Sequence, residues 1–156
     1  WNFDKHYQYI GAQGGAGIGY GAPAAVGAAL ANKKRGRLSV AIQSDGDLNY
    51  APGVLWTASH HQIPLLSVMH NNRAYHEERM YLTLLASKYD RDSSISDIGT
   101  ALDGPFIDYA SIAKGYGQYA EGPISDPKEL GPAIKRAIER IKKGQPALLD
   151  VVTQPR

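Results

Sequence analysis

Asp45 and Asn72 are the side chains whose types and spacing point to one piece of chemistry. Asp45 follows an apolar run and opens Asp45-Gly46-Asp47. Asn72 closes the pair Asn71-Asn72 after the next apolar run, 27 residues further on (45 to 72). If those runs are neighbouring parallel strands, both side chains emerge at the same sheet edge. A carboxylate and an amide oxygen beside a glycine-allowed turn suit a hard divalent cation carrying a phosphate ligand. An Asp-Gly pair alone is an ordinary turn. The paired amide at this distance, after a buried strand, makes it a candidate site. Asn72 is the better ligand of the two amides, and Asn71 reads as a structural partner capping the loop that follows.

The elements that must position these residues follow from periodicity and punctuation. Residues Trp1 to Gln13 are mixed polar and aromatic, with a short strand expected only at Tyr7-Gln8-Tyr9-Ile10. Gly14-Gly15-Ala16-Gly17-Ile18-Gly19-Tyr20-Gly21 holds five glycines in eight positions, so a ligand can approach the main chain closely. Pro23 and the alanines to Ala31 predict a closely packed helix. Leu38 to Ile42 predicts a buried strand ending in the Asp45-Gly46 turn, and a helix is expected over Pro52 to His60. Ile63 to Met69 is a second apolar strand, ending at His70-Asn71-Asn72. Ser87 to Gly104 has no clear period and reads as a lid or a loop. Tyr109 to Lys114 predicts a short helix and Gln118 to Ala120 a short strand. Asp126-Pro127 opens a helix with Leu130, Ile134, Ala137, Ile138 and Ile141 on one face, closed by Gly144 before a last strand, Ala147 to Val152. Strands alternating with helices imply right-handed βαβ units: a doubly wound parallel α/β sheet with helices on both faces. Ligands of such sheets bind beyond the carboxyl ends of the strands, where Asp45 and Asn72 fall.

Composition excludes several classes. The chain has 156 residues, 43% hydrophobic and 21% charged, enough for one domain with its own core. A net charge of +2, from 17 Lys+Arg against 15 Asp+Glu, gives no reason to expect a nucleic-acid partner. There is no cysteine, which excludes disulfides and thiolate metal sites and fits a reducing, cytoplasmic compartment. No apolar run is long enough to cross a membrane. A start at Trp1 rather than Met reads as a segment of a longer chain or one subunit of a split enzyme.

The ordered series of glycine-rich run, Ser44-Asp45-Gly46-Asp47 and Asn71-Asn72 resembles the diphosphate-binding domain of thiamine-diphosphate-dependent enzymes. The likeness is to the acetolactate synthase, pyruvate decarboxylase and benzoylformate decarboxylase group. Gly17-Ile18-Gly19-Tyr20-Gly21-Ala22-Pro23-Ala24-Ala25 and Gln145 to Val152 share it, so it covers nearly the whole of residues 1–156. The resemblance implies thiamine diphosphate and Mg²⁺ as cofactors, with the metal held by Asp45, the Asn72 side chain and the Ala74 carbonyl. It implies that Gly46 and Asp47 meet the diphosphate through their backbone. Ile18 would prop the cofactor in its bent shape, and Ala16 would offer a carbonyl to the aminopyrimidine. Glu78 matches a glutamate that faces the substrate in proton transfer, and His76 is placed to face the reacting carbon. A solvated first helical turn explains Glu77 and Glu78 equally well.

The implied substrate is a 2-keto acid, decarboxylated to an aldehyde or ligated to a second carbonyl. The family's activating glutamate belongs to a pyrimidine-binding domain of the same or another chain. The 156 residues alone should therefore bind half a cofactor and catalyse nothing, and a dimer or tetramer is expected. Two departures stand out. Ser44 replaces a glycine, and Asp47 brings a carboxylate toward a diphosphate, which is unfavourable unless it points away or reaches a metal-bound water. Two other readings stay open here. Gly17-x-Gly19-x-x-Ala22 satisfies a dinucleotide fingerprint, with Asp45 roughly where a ribose-binding acid belongs, so the chain could be an NAD-binding Rossmann domain. It could also be a non-catalytic regulatory subunit with the same fold.

Overall fold

The computed structural model describes residues 2–11, 15 and 17–153. Four strands, β1 (Ser39–Ser44), β2 (Leu65–Asn71), β3 (Tyr119–Ile124) and β4 (Ala147–Val152), form one sheet in the order β1-β2-β4-β3. Every pairing is parallel. Among the described residues, six helices connect or flank them: α1 (Gly21–Lys33), α2 (Asp45–Leu48), α3 (Val54–His60), α4 (His76–Lys88), α5 (Tyr109–Gly115) and α6 (Pro127–Lys142).

The strand order dictates which face each helix covers. Right-handed crossovers from β1 to β2 and from β2 over β4 to β3 travel the same way across the sheet, so their helices belong on one face. The return from β3 to β4 puts its helix on the other. The core is partitioned accordingly. Leu66, Ile124, Ala147 and Leu149 pack with Ala133, Ala137 and Ile141 of α6. Met69, Ala120 and Leu148 pack on the opposite face with Leu55 of α3 and Tyr109, Ala110 and Ala113 of α5. Leu65 joins Val26 and Ala29 of α1 and Ala58 of α3. The expected two-sided parallel sheet is the one found.

Local chemistry sets the helix ends. Asp126 caps α6 by accepting the Lys128 N–H at 2.9 Å, with Pro127 at the position where a missing N–H costs nothing. Asp108 does the same for α5, accepting from Ser111 N–H at 2.8 Å. Four expectations are corrected. Tyr7 to Ile10 forms no strand, because Lys5 to Gln8 closes a turn in which Gln8 N–H donates to the Lys5 carbonyl at 3.0 Å. The helix expected from Pro52 begins at Val54. Asp45-Gly46 is not an isolated turn but the start of the single helical turn α2. Ser87 to Gly104 is not without structure. It ends α4, makes a 3₁₀ turn over Ser94–Asp97, and then pairs Ala101 with Ala74.

Candidate functional site

The carboxyl ends of β1 and β2 lie side by side, with Ser44 opposite His70 in the register, so the chain leaves both strands at one edge. Ser44 is extended, at φ −75° and ψ 148°, and needs no glycine. Asp45 follows it and is 1% exposed. Its Oδ1 accepts the Gly46 N–H at 2.9 Å and its Oδ2 the Arg73 N–H at 2.6 Å. The second bond ties the two strand tips together. Burial pushes the Asp45 carboxyl above its ordinary value of 3.8, opposed by the N–H groups of Gly46 and Arg73. A cation at this carboxylate would offset the burial.

Arg73 reaches Asp45 because it adopts a left-handed backbone, φ +61°, rare for a residue with a side chain. Such a conformation costs on the order of 1 kcal/mol and persists where neighbours over-determine it. Here Leu102 N–H donates to the Arg73 carbonyl at 2.7 Å, and Tyr75 N–H donates to the Thr100 carbonyl at 2.8 Å. Between them, Asn72 Oδ1 accepts the Ala74 N–H at 3.1 Å, which fixes the amide oxygen over its own loop. The aperiodic stretch up to Leu102 is thus the brace of the Asn72 loop, held by backbone bonds that hydrophobic patterning does not register.

Asn71 is a strut. It is buried, and its Nδ2 donates to Asp150 Oδ1 at 2.9 Å. Asp150 is 0% exposed, and its other oxygen accepts the Tyr109 N–H at 3.3 Å. Burial pushes its carboxyl up, with the Asn71 amide and Tyr109 N–H pulling it back. Tyr109 OH then donates to the Asp45 carbonyl at 3.0 Å and lies 3.2 Å from Asn49 Oδ1, completing a buried polar chain from β4 to the Asp45 turn. Sequence reasoning missed Asp150 and Tyr109. The signal was present in Asp150, a carboxylate inside an otherwise apolar strand, which has to find partners.

Gly46 is required by close approach. A Cβ there would stand 2.6 Å from the Tyr75 ring, which lies across the start of α2 and meets Tyr50 edge-on at 6.2 Å. The end of the glycine-rich run, residues 17–21, comes back over the same place, with Gly19 at φ +90°. The carboxylate of Asp47 points to that run: Gly19 N–H donates to Oδ1 at 2.5 Å and Gly21 N–H to Oδ2 at 3.1 Å. Its oxygens are therefore engaged by backbone donors of that run.

An open cleft of about 1540 Å³ collects the predicted residues: Ile18, Asp45, Gly46, Asp47, Asn72, Ala74, His76 and Glu78 all line it. Ala16 lies outside the described residues. His76 and Glu78 come from the first turn of α4, Glu78 being exposed. No cluster of three or more His, Cys, Asp or Glu suited to a metal occurs among the described residues, so a metal here would rest on one carboxylate with neutral oxygens. No described helix is long and apolar enough to cross a membrane.

Comparison with known proteins agrees with this geometry. The chain is 33% identical over 138 residues to benzoylformate decarboxylase of Pseudomonas aeruginosa, an alignment covering 88% of this chain and 23% of that protein. It is 26% identical over 149 residues to the acetolactate synthase isozyme 3 large subunit of Escherichia coli K12, covering 96% of this chain and 24% of that one. Among solved structures, the thiamine diphosphate-dependent 4-hydroxybenzoylformate decarboxylase of Rhodococcus jostii RHA1 matches with a TM-score of 0.72 at 28% identity. That match covers 89% of this chain and 24% of the other. The chain thus spans about a quarter of the length of these relatives. The dinucleotide reading of Gly17, Gly19 and Ala22 is set aside, because residues 1–151 match the family described as thiamine pyrophosphate enzyme, C-terminal TPP binding domain. With its strand tips, glycine-rich run and cleft in the arrangement just described, the chain belongs to that family of C-terminal thiamine-pyrophosphate-binding domains.

Proposed function

We propose that residues 1–156 are the domain that holds the Mg²⁺-diphosphate half of thiamine diphosphate in an enzyme that decarboxylates 2-keto acids. The product is released as an aldehyde or ligated to a second carbonyl. One observation carries the reading: a buried carboxylate and a pinned amide oxygen border one cleft from adjacent strand tips joined by the Arg73–Asp45 bond.

The donor set fits the group. Mg²⁺ takes about six oxygens in an octahedron and keeps several for water and phosphate, so one carboxylate, one amide oxygen and one carbonyl are a suitable protein share. Asp45, Asn72 and the Ala74 carbonyl would supply them. The Asp45 oxygens accept the Gly46 and Arg73 N–H groups, the N–H groups of Asp45 and Ala74 also act on the carboxylate, and a metal would share these oxygens. The Gly46 and Asp47 backbone at the start of α2 would meet the diphosphate, where Gly46 leaves room beneath the Tyr75 ring. Ile18 is 44% exposed at the cleft wall, an apolar side chain free to press against a ligand. The chemistry supplied by the bound cofactor is its thiazolium electron sink, which takes up the electron pair released as carbon dioxide leaves. His76 and Glu78, at the cleft margin on α4, would hold or move a proton beside the reacting carbon.

The cleft exceeds the roughly 300–1,000 Å³ of an ordinary small-molecule site. Its neighbourhood carries uncovered apolar surface: Val40 and Ile42 on β1, and Met80, Tyr81 and Leu84 on α4, none of whose residues is buried. These surfaces support closure by a pyrimidine-binding domain, from the same or another chain, that brings the activating carboxylate in a homo-oligomer. The test is titration calorimetry of thiamine diphosphate with Mg²⁺ into the full-length protein and its Asp45→Ala variant. Removing a buried charged partner is worth about 3–5 kcal/mol, so affinity should fall by at least about a hundredfold. Unchanged affinity would refute the assignment.

A further inference from the structure

Asp47 was the residue that fitted worst, a carboxylate where a diphosphate is expected. Its side chain resolves the conflict. Both oxygens are taken up by donors on other elements: Gly19 N–H at 2.5 Å, Gly21 N–H at 3.1 Å and Gln43 Nε2 at 2.5 Å. Gln43 is itself buried on β1, so this donor is fixed by the sheet. Gly21 opens α1, whose N-terminus has no capping side chain from Tyr20, and Asp47 supplies the missing acceptor from 26 residues away. Gly19 is seated so closely on the next turn that a Cβ would meet Tyr50 Cβ at 2.8 Å. Ile18, at the cleft wall, is the neighbour of Gly19, whose N–H is held by Asp47.

We infer that Asp47 is a positioning residue that clamps the Gly17–Gly21 segment to the strand tip, holding Ile18 at a fixed height over the diphosphate turn before any cofactor arrives. The inference rests on the proposed role of the cleft in holding thiamine diphosphate. Its physical basis is preorganisation. A segment with three glycines in five positions loses much backbone freedom when ordered, and two charge-assisted N–H bonds supply that order in advance. The same bonds explain why the carboxylate is compatible with a neighbouring diphosphate, since its oxygens are turned toward Gly19, Gly21 and Gln43 and its charge is partly offset by those three donors.

The experiment uses the full-length protein with Asp47→Ala, Asp47→Ser and Asp47→Asn. The first readout is amide hydrogen exchange without cofactor over residues 17–22, with residues 147–152 as the internal reference. Loss of a charge-assisted bond should speed exchange in the 17–22 segment at least about tenfold and leave 147–152 unchanged. Asp47→Asn keeps one acceptor oxygen and should fall between wild type and Asp47→Ser. The second readout is the split between turnover and Mg²⁺-dependent cofactor affinity: turnover should drop about tenfold or more while affinity, set by Asp45 and Asn72, moves less than about threefold. Unchanged exchange in the 17–22 segment overturns the inference. So does faster exchange at 147–152 to the same degree, which would make Asp47 a general stabiliser. Failure of the wild-type protein to bind thiamine diphosphate would overturn the proposed function instead, and the exchange result would still decide whether Asp47 holds the segment.

Discussion

The two adjacent amides, Asn71 and Asn72, should fail in different ways. Asn71 is 4% exposed and donates to Asp150, whose other hydrogen-bond partner among the described residues is the Tyr109 N–H at 3.3 Å. Replacing Asn71 by Ala leaves a fully buried carboxyl with that one long bond. Hydrogen bonds to charged groups are worth about 1.5–3 kcal/mol, and for a domain of this size each kcal/mol lowers Tm by roughly 2–4 °C. The expected loss is therefore about 3–12 °C. Burial already holds the Asp150 carboxyl above 3.8, and losing the amide that pulls it back raises it further. Asn72 is half-buried, and among the described residues its side chain accepts the local Ala74 N–H, so Asn72→Ala should cost under about 1 kcal/mol of stability. Its penalty should appear as a fall of about tenfold or more in thiamine diphosphate affinity at limiting Mg²⁺, partly recovered at high Mg²⁺. Thermal denaturation and calorimetry on the same samples separate the two. If Asn72→Ala lowers Tm as much as Asn71→Ala, or if Asn71→Ala loses affinity while keeping its Tm, the division into strut and ligand is wrong.

Other consequences follow from single contacts. Ile18→Ala should lower turnover more than cofactor affinity, and equal loss of both would reduce Ile18 to packing. Gly46→Ala puts a methyl 2.6 Å from the Tyr75 ring, so it should destabilise by about 1–3 kcal/mol and weaken diphosphate binding together. Unchanged denaturation would mean that Tyr75 swings aside freely. The Arg136 guanidinium, donating to Glu121 at 2.6 and 2.9 Å, holds the Glu121 carboxyl below its ordinary 4.5. Because the folded value is depressed, that stability is present above pH 4.5 and is lost as pH falls through the folded value. Arg136 faces solvent and Glu121 is partly covered, so Arg136→Ala should destabilise only slightly at pH 7 and progressively less as pH falls below 4.5, measured by urea denaturation across pH.

How much of this was legible in the sequence depended on which force held each part. The last strand, Ala147 to Val152, was readable to the residue because an apolar run broken by Asp150 alone starts directly after Gly144 and Pro146. The helix from Pro127 showed its apolar face and its Asp126 cap. The first strand was placed early and short, at Leu38 to Ile42. It runs on to Ser44 through Gln43, a polar residue buried because it bonds Asp47. Most of α4 was invisible beyond its first turn, since none of its residues is buried and no stripe exists to be seen. The ligand pair could be found because motif order and spacing record a demand of chemistry. The chain of Asn71, Asp150 and Tyr109 behind it joins residues 79 and 41 positions apart, and no local pattern announces such a contact.

The most direct measurement is diffraction from crystals of the full-length protein grown with thiamine diphosphate and Mn²⁺ in place of Mg²⁺, with the ion located by its anomalous signal. The account predicts one peak within bonding distance of an Asp45 carboxylate oxygen, Asn72 Oδ1 and the Ala74 carbonyl, bridged to the diphosphate. A peak bound elsewhere, or a diphosphate seated with those two side chains turned to separate places, would contradict it.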